Sequence, residues 1–88
     1  MSNTFGKQLK ALRVAAGGVT QAQLAGVLEV EETYVSKIER DDRTPSATFV
    51  IRVANYFASD AKVKGVDVNQ LLALAGHPTI ERAALQMA

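Results

Sequence analysis

A folded chain of 88 residues and 9.4 kDa exposes roughly 5,000 Å² of a possible ~13,600 Å², enough burial for one small core and too little for a second independent domain. With 48% hydrophobic and 22% charged residues, a net charge of +1 and no cysteine, it is neither a low-complexity tail nor a disulfide scaffold. A thiolate zinc site and a cysteine nucleophile are likewise excluded.

Apolar positions recur at helical spacing in segment after segment, predicting an all-α bundle of five to six short helices. The first is expected from about Thr4 to Ala16, with Phe5, Leu9 and Leu12 inward, Lys7 and Lys10 in water, and Gly17-Gly18 as a left-handed stop. Thr20 and Gln23 form a capping box for a second helix, about Gln21 to Leu28, beside a Val19–Leu24 staple. Glu29-Val30-Glu31 is long enough only for a turn, and a third helix, Glu32 to Arg40, puts Val35 and Ile38 inward. Thr44, Pro45 and Ser46 restart the chain into a fourth helix, Ala47 to Ala58, with Val50, Val53, Ala54 and Phe57 buried. After the longest loop, Ser59 to Val66, Asp67 and Gln70 cap a fifth helix, Val68 to Ala75, ended by Gly76. A last segment, about Thr79 to Met87, carries Ile80, Ala83, Ala84 and Met87 at one-face spacing.

The charge is nearly balanced but unevenly distributed. Residues 1 to 20 hold Lys7, Lys10 and Arg13 without an acid, whereas 29 to 42 hold Glu29, Glu31, Glu32, Glu39, Asp41 and Asp42 against Lys37 and Arg40. No apolar run approaches the ~20 residues of a membrane span, and Met1 to Gly6 lacks a signal-peptide pattern. A cytoplasmic protein with no membrane partner is expected.

Two helices joined by a three-residue turn form the angled pair that sets one helix across the DNA backbone and the other in the major groove. At 100° per residue, the third helix turns Thr33, Ser36, Lys37 and Arg40 outward. The string Thr20-Gln21, Leu24-Ala25, Leu28, Val30, Tyr34-Val35-Ser36-Lys37-Ile38-Glu39-Arg40, Thr44-Pro45-Ser46 and Val53-Ala54 resembles the Xre/Cro family of lambda-repressor-like helix-turn-helix domains. The resemblance covers about residues 5 to 75. It implies base reading by Glu32, Thr33 and Lys37, joined by the outward Ser36. Lys37 suits guanine O6 and N7, Thr33 a base edge or thymine methyl, and Glu32 cytosine N4. Phosphate contacts are expected from Thr20, Gln21, Arg40, Arg43 and Thr44, with Tyr34 open between a phosphate contact and a cover over the helix pair. The family's pairing of an arginine late in the first helix with a glutamate late in the third maps onto Arg13 and Glu39.

Several positions depart from the family pattern. Glu29, Glu31 and Asp41 stand where the family has a turn glycine, a capping serine and a following glycine, which predicts an altered or strained turn. Gly26 inside the second helix costs about 1 kcal/mol relative to Ala. The acids near the groove predict weak nonspecific DNA affinity. Lys7, Lys10, Lys62 and Lys64 read as solvated charges, and Phe49 and Tyr56 as packing rather than stacking residues. His77 reads as an exposed capping-region residue, and Asp41-Asp42 lacks an EF-hand spacing. No metal, cofactor or catalytic activity is expected.

One such module reads a half-site, so a homodimer on double-stranded DNA follows from geometry. Residues 1–76 are assigned to the DNA-binding domain and 77–88 to a C-terminal dimerisation extension, with Leu71, Leu74, Ile80, Ala83, Ala84 and Met87 at the interface. The expected function is a repressor on a palindromic operator. The alternative is an antitoxin or adaptor acting through a protein partner on the acidic stretch.

Overall fold

Four helix starts are fixed by a side chain that accepts an otherwise unpaired backbone amide. In the computed structural model, which describes residues 4–78, Thr4 opens α1 (Phe5–Ala15) by accepting the Lys7 amide at 3.2 Å. Thr20 opens α2 (Gln21–Leu28) with a reciprocal pair: its hydroxyl accepts the Gln23 amide at 3.0 Å and Gln23 Oε1 accepts the Thr20 amide at 2.9 Å. Ser46 caps α4 (Ala47–Asn55) through the Phe49 amide at 3.1 Å. Asp67 caps α5 (Val68–Leu74) through the amides of Asn69 and Gln70. Each such cap contributes about 1 kcal/mol. Helix α3 (Glu32–Glu39) starts on Glu31 with no side-chain cap bond, as the missing serine foreshadows.

The all-α expectation holds: among the described residues there are five α-helices and no strand. The predicted ends extend too far by a residue where Thr4, Ala16, Arg40 and Ala75 act as caps rather than helical residues. The fourth helix differs more. It gives way after Asn55 to a π-helical turn, Tyr56–Asp60, closed by the Ala61 amide on the Tyr56 carbonyl at 3.0 Å. This wider turn accompanies complete burial of Phe57. The expected sixth segment, with Ile80, Ala83, Ala84 and Met87, lies outside the described residues.

One core joins all the helices. Phe5, Leu9 and Leu12 from α1 meet Leu24, Ala25 and Leu28 from α2, Val35 and Ile38 from α3, Phe49, Val50, Val53 and Ala54 from α4, and Leu71 and Leu72 from α5. Leu71, expected between copies, is 3% exposed and belongs to this chain's own core; Leu74 is half-buried against the core edge. Phe49 is buried as a packing residue and Tyr56 meets Phe57 edge to face at 5.0 Å.

His77 is a correction. The ring is half-buried rather than exposed, with Nε2 2.6 Å from the Pro45 carbonyl. The left-handed Gly76 (φ 81°) turns the chain so that the His77 amide donates to Leu72 O at 2.8 Å. That turn returns the imidazole over the loop preceding α4.

Among the described residues three that carry side chains adopt left-handed backbone, Lys62 in the loop before α5 (φ 54°) and two where the family pattern is broken. Glu29 closes α2 at φ 57° and Asp41 follows α3 at φ 61°, each in a region that costs a side-chain-bearing residue about 1–2 kcal/mol. Asp41 recovers part of this by accepting Thr4 Oγ1–H at 3.0 Å, which ties the start of α1 to the end of α3. Gly6 makes that approach possible. A Cβ there would lie 2.5 Å from the Ile38 carbonyl oxygen and 2.7 Å from that of Glu39.

Gly6→Ala is therefore expected to lower the unfolding free energy by at least about 1–3 kcal/mol, because backbone oxygens cannot move aside like a flexible side chain. Gly26→Ala meets nothing within 4 Å and is expected to raise it by about 1 kcal/mol. Urea unfolding of both variants beside wild type checks the pair of opposite signs.

Candidate nucleic-acid interface

The α2–turn–α3 unit is locked to α1 by one carboxylate. Arg13 Nε donates to Glu39 Oε2 at 2.6 Å and Arg13 Nη2 to Glu39 Oε1 at 2.7 Å, a fork-to-fork pair. Arg13 Nη1 donates to the Val19 carbonyl at 2.9 Å, and Gln21 Nε2 donates to the same Glu39 Oε1 at 3.0 Å. The two charged side chains are only 14% and 5% exposed. The Arg13–Glu39 pair thus ties together α1, the loop before α2, the first residue of α2 and the last of α3. The hydrogen bond to Glu39 raises the Arg13 pKa above its ordinary value, against an opposing effect of burial.

With Val35 and Ile38 in the core, α3 stands as a ridge. Glu32, Thr33, Lys37 and Arg40 are exposed and Ser36 is half-exposed. A groove lies on either flank. One, of about 280 Å³, is lined by Gln21, Glu32, Thr33 and Ser36. The other, of about 500 Å³, runs between α3 and α4 and includes Thr33, Tyr34, Lys37 and Arg43 among its lining residues. Thr33 lines both and so occupies the crest. The structure therefore brings the four residues expected to read bases onto one projecting edge.

The residues expected at phosphates are placed less uniformly. Thr20 is exposed at the N-terminal end of α2, where its hydroxyl accepts the Gln23 amide. Gln21 has its carboxamide donor committed to Glu39. Arg40 makes an exposed ion pair with Asp42 at 3.3 Å, a contact of little energetic weight. Arg43 lies over the Tyr34 ring, 5.1 Å from its centroid, and Tyr34 in turn meets Phe49 edge to face at 5.1 Å. Thr44 is separated from the ridge: it lines a different cavity with Thr4, Phe5, Gly6 and Ile38. Two residues that sequence reasoning passed over, Thr48 and Arg52, line the α3–α4 cleft. Their helical period marked them only as outward positions of α4, with nothing to say which groove they face.

Among the described residues no group of three or more His, Asp or Glu side chains is placed to hold a metal ion, and no helix is long and apolar enough to cross a membrane.

Removal of one partner from the Arg13–Glu39 pair leaves a charge with little access to water. Arg13→Met is expected to cost about 3–5 kcal/mol of stability. Because the Arg13 pKa is raised, the arginine's contribution is complete below its ordinary range and is lost only above it, so the difference between wild type and variant should be constant from about pH 6 to pH 9. Urea midpoints at both ends of that interval check the size and the flatness together.

Comparison with known proteins agrees with this geometry. Residues 4–64 match the family described as a helix-turn-helix domain, a match that takes in α1 to α4 and the π turn and stops short of α5. No curated protein and no solved structure matches the chain. With its second and third helices in the matched segment, a carboxylate tying both to α1, and polar side chains along the ridge of α3, the chain belongs to the helix-turn-helix family of DNA-binding domains.

Proposed function

We propose that the protein is a sequence-specific transcriptional regulator of the Xre/Cro type, a repressor that occludes a promoter by binding a palindromic operator as a homodimer. The observation that carries this reading is the α3 ridge, where Thr33, Lys37 and Glu32 are exposed along an edge whose inner face is buried. In this arrangement Lys37 donates to guanine, Thr33 meets a base edge or thymine methyl, and Glu32 and Ser36 read neighbouring positions. Thr20, Tyr34, Arg40 and Arg43 set the register through phosphates. Gln21 adds the second N–H of its carboxamide, and Thr44 contributes only at the margin. Two modules reading a palindrome sit about 34 Å apart, and residues 77–88 together with Leu74 supply the contact between copies. The protein acts in the cytoplasm, with no cofactor and no catalytic step.

A second reading is favoured by one observation. Glu29, Glu31, Glu32, Asp41 and Asp42 are all exposed around the helix-turn-helix, a surface suited to a basic protein partner of an antitoxin or adaptor.

Selection from a randomised duplex pool, followed by titration of the enriched sequence, separates the two. Enrichment of a palindrome with half-sites one helical turn apart is expected. Lys37→Ala and Thr33→Ala should each weaken that site by about 1–3 kcal/mol, roughly 5- to 150-fold. Absence of enrichment, or indifference to both substitutions, would turn the assignment toward the acidic face.

A further inference from the structure

Arg43 reaches the Tyr34 ring from a segment with no regular structure of its own. Among the described residues none of Arg43, Thr44 and Pro45 makes a backbone–backbone hydrogen bond, and Arg43 and Thr44 are exposed. The Arg43 guanidinium enters no ion pair there and rests on the Tyr34 face, 5.1 Å from the ring centroid. Two side chains from distant elements pin this segment at its ends. On one side the Thr4 hydroxyl donates to Asp41 Oδ2 at 3.0 Å. On the other, His77 Nε2 lies 2.6 Å from the Pro45 carbonyl oxygen. A carbonyl only accepts, so Nε2 carries the proton and donates it. Arg43 lies midway along the chain between Asp41 and Pro45.

The His77 pin is anchored in the core. Gly76, at φ 81°, allows its own amide to donate to Ala73 O at 3.0 Å and the His77 amide to Leu72 O at 2.8 Å, the paired bonds of a Schellman stop. Leu72 is 2% exposed, so the imidazole is mounted on a residue that cannot shift without opening the core. Pro45 itself is buried and the His77 ring half-buried. We propose that His77 is a positioning residue for Arg43: its bond to Pro45 carries the rigidity of α5 into the segment before α4 and holds Arg43 over Tyr34. A guanidinium already in place loses less conformational freedom on meeting an anion than one on an untied segment. The benefit to DNA binding rests on the reading of Arg43 as a phosphate contact; the tie between His77 and Arg43 does not.

Two measurements on the full chain test it. In proton NMR the Arg43 side chain, lying over the Tyr34 ring, should be shifted upfield by the ring current. His77→Ala should move those signals toward the position of an arginine free of any ring, with the methyl signals of Leu24 and Val35 unmoved. His77→Phe, which keeps a ring but removes the donor, should act in the same way and replaces the alanine variant if that one loses its core signals. His77→Gln, whose carboxamide N–H can donate to the same carbonyl, should retain most of the shift. In fluorescence anisotropy with a mixed-sequence DNA duplex, His77→Ala should weaken binding about three- to tenfold, the cost of ordering one long side chain. In an Arg43→Ala background the same substitution should add almost nothing, since the two residues act as a coupled pair. Unmoved Arg43 signals in both His77→Ala and His77→Phe, or an equal loss of binding with and without Arg43, would overturn the positioning role while wild-type binding leaves the regulator reading intact. Wild type that binds no duplex, with Arg43 signals that still respond to His77→Phe, would overturn the regulator reading alone.

Discussion

The carboxylate of Glu39 is the constraint on which the arrangement of the other parts depends. One oxygen accepts Arg13 Nε, and the other accepts both Arg13 Nη2 and Gln21 Nε2. A 5% exposed carboxylate is tolerable only because these donors replace the water it has lost. The consequence is geometric. The angle between α2 and α3 is set by hydrophobic contact among Leu24, Leu28, Val35 and Ile38, which is non-directional, whereas the Glu39 network fixes rotation and register. The proposed reading of base edges by α3, within a hydrogen-bond length, needs that second kind of restraint.

The α1–α3 approach works in the same direction. Gly6 allows the helix backbones to meet, and Asp41, left-handed at φ 61°, turns its carboxylate back to the Thr4 hydroxyl. Strain at Asp41 is thus coupled to a tether. Glu29, also left-handed, makes no side-chain hydrogen bond among the described residues, so its strain is the cost of a turn that glycine would adopt freely. Acids surround the turn, while Lys37, Arg43 and Arg52 line one cleft beside the ridge of α3. A chain of net charge +1 can therefore present a locally cationic surface without a strongly basic composition.

Helix positions, caps and the inward faces were legible in the sequence because they are local properties. The Thr20–Gln23 box, the caps at Ser46 and Asp67, and the burial of Val35 and Ile38 follow from chemistry within one or two turns. The outward set on α3 followed from the same period. Resemblance to a family supplied the nonlocal pair Arg13 and Glu39, which spacing could not, since 26 residues separate them.

Tertiary structure decided what depends on distant segments meeting. Gln21 joined the Glu39 network because α2 begins where α3 ends, and Arg52 came to face Lys37 because the loop through Pro45 sets α4 against α3. Leu71 went inward, His77 folded onto Pro45, and Gly6 became a point of backbone contact rather than an ordinary helical residue. The amino-acid sequence by itself determined an all-α chain with a helix-turn-helix and a polar edge on its second member, because periodicity and capping act over a few residues. Which grooves flank that edge, and which cations line them, was settled only when packing brought α1, α3 and α4 together.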